Sequence, residues 1–481
     1  MCATNDARTV RFPDSLGASN VTPVLSPPIL SLRARIRRLR PGWVLLAVVA
    51  WLFTAGVSAP PQQSRSNWPQ WRGPLGNGVA PDSGAPLRFS ATEGVKWKTE
   101  IPGRGLSTPV IWDDLVFVTT AVPLVEEESS DDRPRRRQPR LVEHEFRLLA
   151  LRRAGGTEAW SRTATTATPH EGYHRTYSSF ANASPVTDGD RVYAFFGSRG
   201  LYAYDFTGEL VWQRDFEVVM ETFGQFGEAS SPALHGDTIV VLFDHQGQSF
   251  IEALDSRSGT TRWKQLRDGD TAWSSPLIVE DAGREMVIAS GSDGITAYDL
   301  VTGTVVWQST DMKPHPIPTP VAGEGLLFAT LASAERSIHA IDLRSGTGGA
   351  SSVRWQLEKA ASYNPSALLW DNELYLVRDG GLSSGASRLS LIDAASGEPH
   401  YLHVRLPNSY SIKASPVGAG GRVYLATEEG DVVVIRRGPD MEVLAINPMG
   451  EPFIASPAIA SGEIFLRGRT HLFCISGDDG S

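Results

Sequence analysis

The phrase DGITAYDLVTGTVVWQS (residues 293–309) constrains the fold more than any other stretch, because the chain keeps rewriting it. Versions stand at residues 200–214 (GLYAYDFTGELVWQR), 250–265 (FIEALDSRSGTTRWKQ) and 337–346 (SIHAIDLRSG), with a weaker copy at 390–401 (SLIDAASGEPHY). A phrase that returns at forty-odd residue intervals is a building unit and not an active site. Each copy reads as a strand, a turn around Asp and Gly, and a second strand carrying an aromatic residue. The gap from Gly to aromatic is constant: Gly156 to Trp160, Gly208 to Trp212, Gly259 to Trp263, Gly303 to Trp307 and Gly397 to Tyr401. Gly permits the tight turn and the Asp can accept backbone N–H groups within it.

A second marker precedes each phrase. A small residue and Pro open a strand at residues 107 (STPVIW), 183 (ASPVTD), 230 (SSPALH), 274 (SSPLIV), 318 (PTPVAG), 414 (ASPVGA) and 455 (ASPAIA). An eighth, PSALLW at residue 365, has Ala367 in place of Pro. Each unit then holds four strand-type runs, such as SPLIVE, EMVIASG, GITAYDL and TVVWQS. Four short strands per repeat of this length describe an antiparallel propeller blade, and eight openings predict an all-β, eight-bladed β-propeller. The last unit supplies only three strands. Residues 94–101 (GVKWKTEI), with Trp97 at the aromatic position, are expected to complete that blade and close the ring. Trp97, Trp160, Trp212, Trp263, Trp307, Trp355 and Tyr401 are then structural, each docking an outer strand on the adjoining blade. The expected boundaries are a leader over 1–59, a lead-in over 60–93, the propeller over 94–477 and a tail over 478–481.

The leader joins a basic stretch, SLRARIRRLRPG, to an uncharged run, WVLLAVVAWLFTAGVSA (residues 43–59), ending in small residues. That is the pattern of a signal peptide, with a retained membrane anchor as the rival; Pro60 just after the candidate cut counts against cleavage. Either way the body is expected outside the cytoplasm, periplasmic or extracytoplasmic. The net charge is −9; the leader holds seven Arg against two Asp, a net of +5, so the remainder carries −14. An acidic body argues against nucleic acid as a partner. There are two cysteines, Cys2 in the leader and Cys474, which exclude an internal disulfide in the body and Cys-x-x-Cys zinc sites. The insertion EEESSDDRPRRRQPR (residues 126–140) has no apolar residue and is expected to be disordered.

The pattern Ala-x-Asp-x-x-x-Gly-x-x-x-Trp, at Ala253/Asp255/Gly259/Trp263 and Ala297/Asp299/Gly303/Trp307, resembles the tryptophan-docking repeat of the pyrroloquinoline-quinone (PQQ) propeller superfamily. NWPQWRGPLGNG (residues 67–78) and GEASSPALHGDTIVVLFDHQGQSF (residues 227–250) resemble its secreted bacterial, BamB-like branch. The resemblance covers residues 67–477 and implies two functions of different class. One is a noncatalytic binding or scaffold module of the cell envelope, needing no cofactor and expected to be monomeric. The alternative is a quinoprotein dehydrogenase oxidising alcohols or sugars with PQQ and Ca²⁺. Many alcohol-oxidising members stack the quinone on a disulfide between adjacent cysteines, which this chain lacks.

Strand parity says where a site would lie. In an up-and-down blade of strands A to D, the B–C hairpins and the D-to-A connectors emerge on one face. The connectors bring His174, Tyr177, Glu228, Trp273, His315, Tyr363, Asn364 and Lys413, and the third B–C hairpin brings Asp244 and His245. Aromatic, His and charged groups round a pore mouth form a candidate site for a small ligand or an envelope protein. Asp244 and His245 read either as a metal-ligand pair or as an Asx turn.

Overall fold

A computed structural model describes residues 66–81, 84–125, 139, 141–309, 311–313, 317–331, 336–345, 352–379 and 385–477. The leader, all of the insertion but Pro139, the tail and His315 lie outside the described residues. Among the described residues no helix is long and apolar enough to cross a membrane.

Among the described residues the strands form eight sheets, each built on four antiparallel strands, and in seven of them those four are consecutive in the chain. Blade 3 shows the logic: strands Ala233–His235, Thr238–Phe243, Phe250–Asp255 and Thr261–Leu266. Its second strand, TIVVLF, is buried at every position, as a strand covered on both faces must be. Its outer strand buries Trp263 and leaves the flanking Arg262 and Lys264 exposed, the two-residue period of an edge. Blades 1 and 2 precede it, beginning at Val110 and Val186; blades 4 to 7 follow, beginning at Leu277, Val321, Leu368 and Val417.

Blade 8 is the composite one. Ala458–Ala460, Glu463–Arg467 and His471–Ile475 come from the end of the chain, and Val95–Glu100 supplies the outer strand. Trp97 pairs with Cys474 and Glu100 with His471. The expected latch is therefore present.

The repeated phrase is explained at the blade junctions. Five docking indoles donate the ring N–H to a carbonyl in the next blade's C–D turn: Trp97 to Arg153 (2.8 Å), Trp160 to Phe206, Trp212 to Ser256, Trp263 to Leu300 and Trp355 to Ala394 (all 2.9 Å). The Gly of that turn lies flat on the same ring. Gly303 has φ +70°, and a Cβ on it would sit 2.5 Å from the Trp263 ring. Gly259 meets Trp212 in the same way at 2.6 Å. Thus Gly and indole of one repeat do not pack on each other; each serves a different junction. The small residue of the motif is the indole's cross-strand partner: Ala253 opposite Trp263, Ala297 opposite Trp307, Ala340 opposite Trp355. Cys474 takes that position opposite Trp97, which accounts for a fully buried lone thiol.

Three junctions depart from the rule. The Trp307 ring N–H and the Tyr401 hydroxyl are buried with no hydrogen-bond partner among the described residues. Blade 7 carries Ala445 where the aromatic belongs, opposite Val434. There the lead-in compensates: Phe89 is buried, its N–H donates to Asn447 Oδ1 (2.9 Å), and the Tyr424 hydroxyl donates to Ala85 O (3.0 Å).

The rest of the lead-in crosses the central channel. Ile111 N–H donates to Trp68 O (2.9 Å), Thr187 N–H to Pro69 O (3.0 Å) and Gly418 N–H to Gly78 O (2.9 Å), so blades 1, 2 and 7 all hold it. Val79–Ala80 adds to blade 7 as a fifth, parallel strand. Arg72 is buried and donates to the carbonyls of Pro416 (3.2 Å), Asn77 (3.3 Å) and Ala367 (2.8 Å). The lead-in is thus a plug, a role its sequence did not announce.

Candidate functional site

The Ser or Thr in second place of each blade opening builds the channel wall. Backbone N–H groups donate to the hydroxyl one blade on: Thr108 to Ser184, Ser184 to Ser231, Ser231 to Ser275, Ser275 to Thr319 and Thr319 to Ser366, all 2.9 Å. Ser366 to Ser415 and Ser415 to Ser456 follow at 3.0 Å, and the Thr108 hydroxyl returns to Ser456 O at 3.2 Å. Eight hydroxyl residues, one per blade, form a closed belt. These buried N–H groups have no ladder partner at a strand start, so a side-chain oxygen from the neighbour satisfies them.

On this belt sits a cavity of about 370 Å³, room for many waters. Trp71 of the plug lines it together with the connectors. His174, Tyr177, Phe223, Phe226, Trp273 and Tyr363 form its aromatic wall. His174 stacks on Tyr177 (centroids 3.7 Å apart, 16° between planes) and meets Phe226 edge-on. Trp273 is fixed by its N–H to Gly227 O (2.6 Å).

One cation enters the wall. Lys413 Nζ pairs with Asp379 Oδ2 at 2.9 Å and lies 5.2 Å from the Tyr177 ring centre. Asp379 also accepts from Tyr363 N–H (2.7 Å) and the Asn364 amide (2.7 Å), so one carboxylate orients three wall residues. Burial, then Lys413, pushes the His174 pKa down; burial pushes the Tyr177 phenol up. Both are therefore neutral at physiological pH. His174 Nδ1 and the Tyr177 hydroxyl are buried without a hydrogen-bond partner among the described residues. The wall is largely aromatic, and its one ammonium is matched by Asp379.

The structure thus brings His174, Tyr177, Trp273, Tyr363, Asn364 and Lys413 together. It places the other candidates elsewhere. Glu228 is turned away into a half-buried recess, accepting from the N–H (2.6 Å) and hydroxyl (2.7 Å) of Ser198, where desolvation raises its pKa. Asp244 faces Arg267 through two oxygens (2.8 and 3.1 Å), and Arg267 also pairs with Asp293 at 2.8 Å. Both Asp244 and Arg267 are buried, so this is an ion-pair triad inside the blades. His245 is buried beneath its own hairpin, with Nδ1 near Gly247 N (3.2 Å). Among the described residues no group of three His, Cys, Asp or Glu could hold a metal, so Asp244 and His245 are not joined by a third ligand.

Residues 144–401 match the family model described as outer membrane protein assembly factor BamB. The chain belongs to that family. A curated BamB from Yersinia pestis is 24% identical over 255 residues, 52% of this chain and 54% of that protein. The match therefore spans about half the relative's length. The crystal structure of BamB from Moraxella catarrhalis is similar at 14% identity and a TM-score of 0.50, covering 75% of this chain and 99% of that one. Quinohemoprotein alcohol dehydrogenase from Comamonas testosteroni is similar at 13% identity and a TM-score of 0.57, covering 86% and 82%. At these identities the structural likeness establishes the propeller alone.

The dehydrogenase likeness raises the fit of PQQ with Ca²⁺. Trp71 offers a stacking surface, but Ca²⁺ takes six to eight oxygen ligands, carboxylates prominent among them. No carboxylate lines the cavity among its described residues, and the nearby Asp379 is held by Lys413, Tyr363 and Asn364. This donor set does not match that ion. Within the BamB family frame, the features sequence reading missed were Trp71, Phe223, Phe226 and the hydroxyl belt. The belt was signalled by the hydroxyl before each Pro; Trp71 carried no repeat signal.

Proposed function

We propose that this chain is an exported, noncatalytic binding or scaffold module of the cell envelope that engages its ligand or partner at the aromatic cavity. The aromatic cavity carries this reading: Trp71 of the plug and six aromatic side chains of the connectors line it. Family membership and the basic-then-apolar leader support an extracytoplasmic, BamB-like role. A group entering from an envelope protein, or a free small ligand, would bury its apolar surface against these rings. The second reading, a PQQ- and Ca²⁺-dependent dehydrogenase, is favoured only by the fold neighbours.

One experiment separates them. A photocrosslinking residue at Phe223, which is 60% exposed at the cavity wall, should trap a discrete envelope partner or compete with an added small ligand. Trp71→Ala should abolish the effect. Dye reduction with alcohols or aldoses that requires added PQQ and Ca²⁺ would overturn the proposal, as would crosslinks confined to the outer strands.

A further inference from the structure

The hydroxyl belt leaves half of its hydrogen-bonding chemistry unused. Ser184, Ser231, Ser275, Thr319, Ser366, Ser415 and Ser456 each accept one N–H from the blade before. A hydroxyl also has a proton to give. Thr108 gives its own to Ser456 O, but the other seven donate to no acceptor among the described residues. A buried donor left unmet is costly, whereas a spare second lone pair on an oxygen is tolerated. Five of the seven, Ser184, Ser231, Ser275, Ser415 and Ser456, are buried and line the aromatic cavity. The N–H that each oxygen accepts polarises its O–H into a better donor.

The rest of the lining decides what such donors can meet. Asn182 is fully engaged: its Oδ1 accepts the Ser179 N–H (2.9 Å) and hydroxyl (3.0 Å), and its amide donates to Ser178 Oγ (2.9 Å), Ser179 O (2.9 Å) and Glu228 O (2.7 Å). The Trp273 N–H is held by Gly227 O. Lys413 is matched by Asp379, and no carboxylate lines the cavity among its described residues. A cation would face hydroxyl protons without a counter-ion, and an anion would find the one ammonium already paired. Either would lose its hydration without replacement. A neutral oxygen acceptor carries no such penalty.

We propose that the belt is a donor ring selecting a neutral carbonyl group: the cavity takes a ring-bearing ketone, ester or amide, its apolar body against the aromatic wall and its carbonyl oxygen on the belt hydroxyls. The inference rests on the cavity reading and adds what the ligand must carry.

The test uses the full chain and four ring probes. Acetophenone labelled with carbon-13 at its carbonyl stands for a free ketone, and N-methylbenzamide for the main chain of a partner. Ethylbenzene and 1-phenylethylammonium carry no acceptor. A carbonyl carbon resonates further downfield the more hydrogen bonds its oxygen accepts, so bound acetophenone should stand at or downfield of its position in water. Ser184→Ala and Ser415→Ala should each move that resonance upfield and weaken binding about 3–10-fold, the loss of one neutral hydrogen bond. Ser366→Ala removes a belt bond of the same kind, to the Thr319 N–H, at a position that does not line the cavity. It should lower the melting temperature comparably and leave binding unchanged. Ser184→Thr, which keeps a hydroxyl as Thr108 and Thr319 do, should retain both resonance and affinity. The tighter of the two carbonyl probes names the source of the group. A bound carbonyl upfield of its position in water, Ser184→Ala and Ser415→Ala variants that bind like the parent, or 1-phenylethylammonium binding as tightly as acetophenone overturns the donor ring. The cavity reading fails separately, if Trp71→Ala leaves ethylbenzene binding unchanged.

Discussion

The outer rim and the connector face of this propeller obey opposite rules. At the rim, five junctions repeat one device: an indole N–H 2.8–2.9 Å from a turn carbonyl, with a Gly laid on the ring. At the connector face, one blade brings His174 and Tyr177, another Trp273, another Tyr363 and Asn364, and no two connectors bring the same set. Repetition marks what every blade needs to pack. Its breakdown marks where a single ligand or partner would be met.

The sharpest way to break that contrast is at the rim. Trp263→Ala should cost about 3–5 kcal/mol in denaturant unfolding, from lost burial and the lost bond to Leu300, while leaving ligand-probe binding at the cavity unchanged. Asp244→Ala tests whether the buried triad sides with the rim: it should cost about 3 kcal/mol, since Arg267 keeps Asp293 alone, and should not alter binding. Gly303→Ala, at φ +70° and against the Trp263 ring, should cost about 1–2 kcal/mol for the backbone, plus whatever displacing the ring requires. Trp71→Ala should invert the pattern, shifting stability by about 1 kcal/mol or less but abolishing cavity binding.

The smallest expected effect comes from pH. The turn carboxylate of Asp255 is held at about 2 by Arg262 and by the Ser258 donors, and those of Asp205, Asp299, Asp342 and Asp393 are also lowered by hydrogen bonds within their turns. Groups lowered on folding contribute stability that is full above the unfolded value near 4 and fades as pH falls through the folded one. These turn carboxylates should therefore make the melting temperature decline between pH 4 and 2. Asp255→Asn should flatten part of that decline.

The sequence displayed the rim because each junction was written several times over. Trp97 could be assigned to the last blade because only one unit lacked a fourth strand. The connectors could be located by strand parity, which is why His174, Tyr177, Trp273, Tyr363 and Asn364 fell round one cavity. Parity gives a segment's face and not the direction of a side chain. Asp244 and Glu228 looked alike in sequence, yet one is held by Arg267 and the other by Ser198. The plug was invisible for another reason: its bonds to Thr187, Gly418 and Ile111 run through backbone groups that any residue would offer.

The strand at Val95–Glu100 is synthesised before every blade and finds its partners only when His471–Ile475 exists. Seven sheets can assemble in order along the emerging polypeptide, but the circle stays open to the end. A product cut short anywhere upstream keeps a bare edge on each side of the gap. Ring closure is thereby the last event the topology allows, since only that pairing hides both edges.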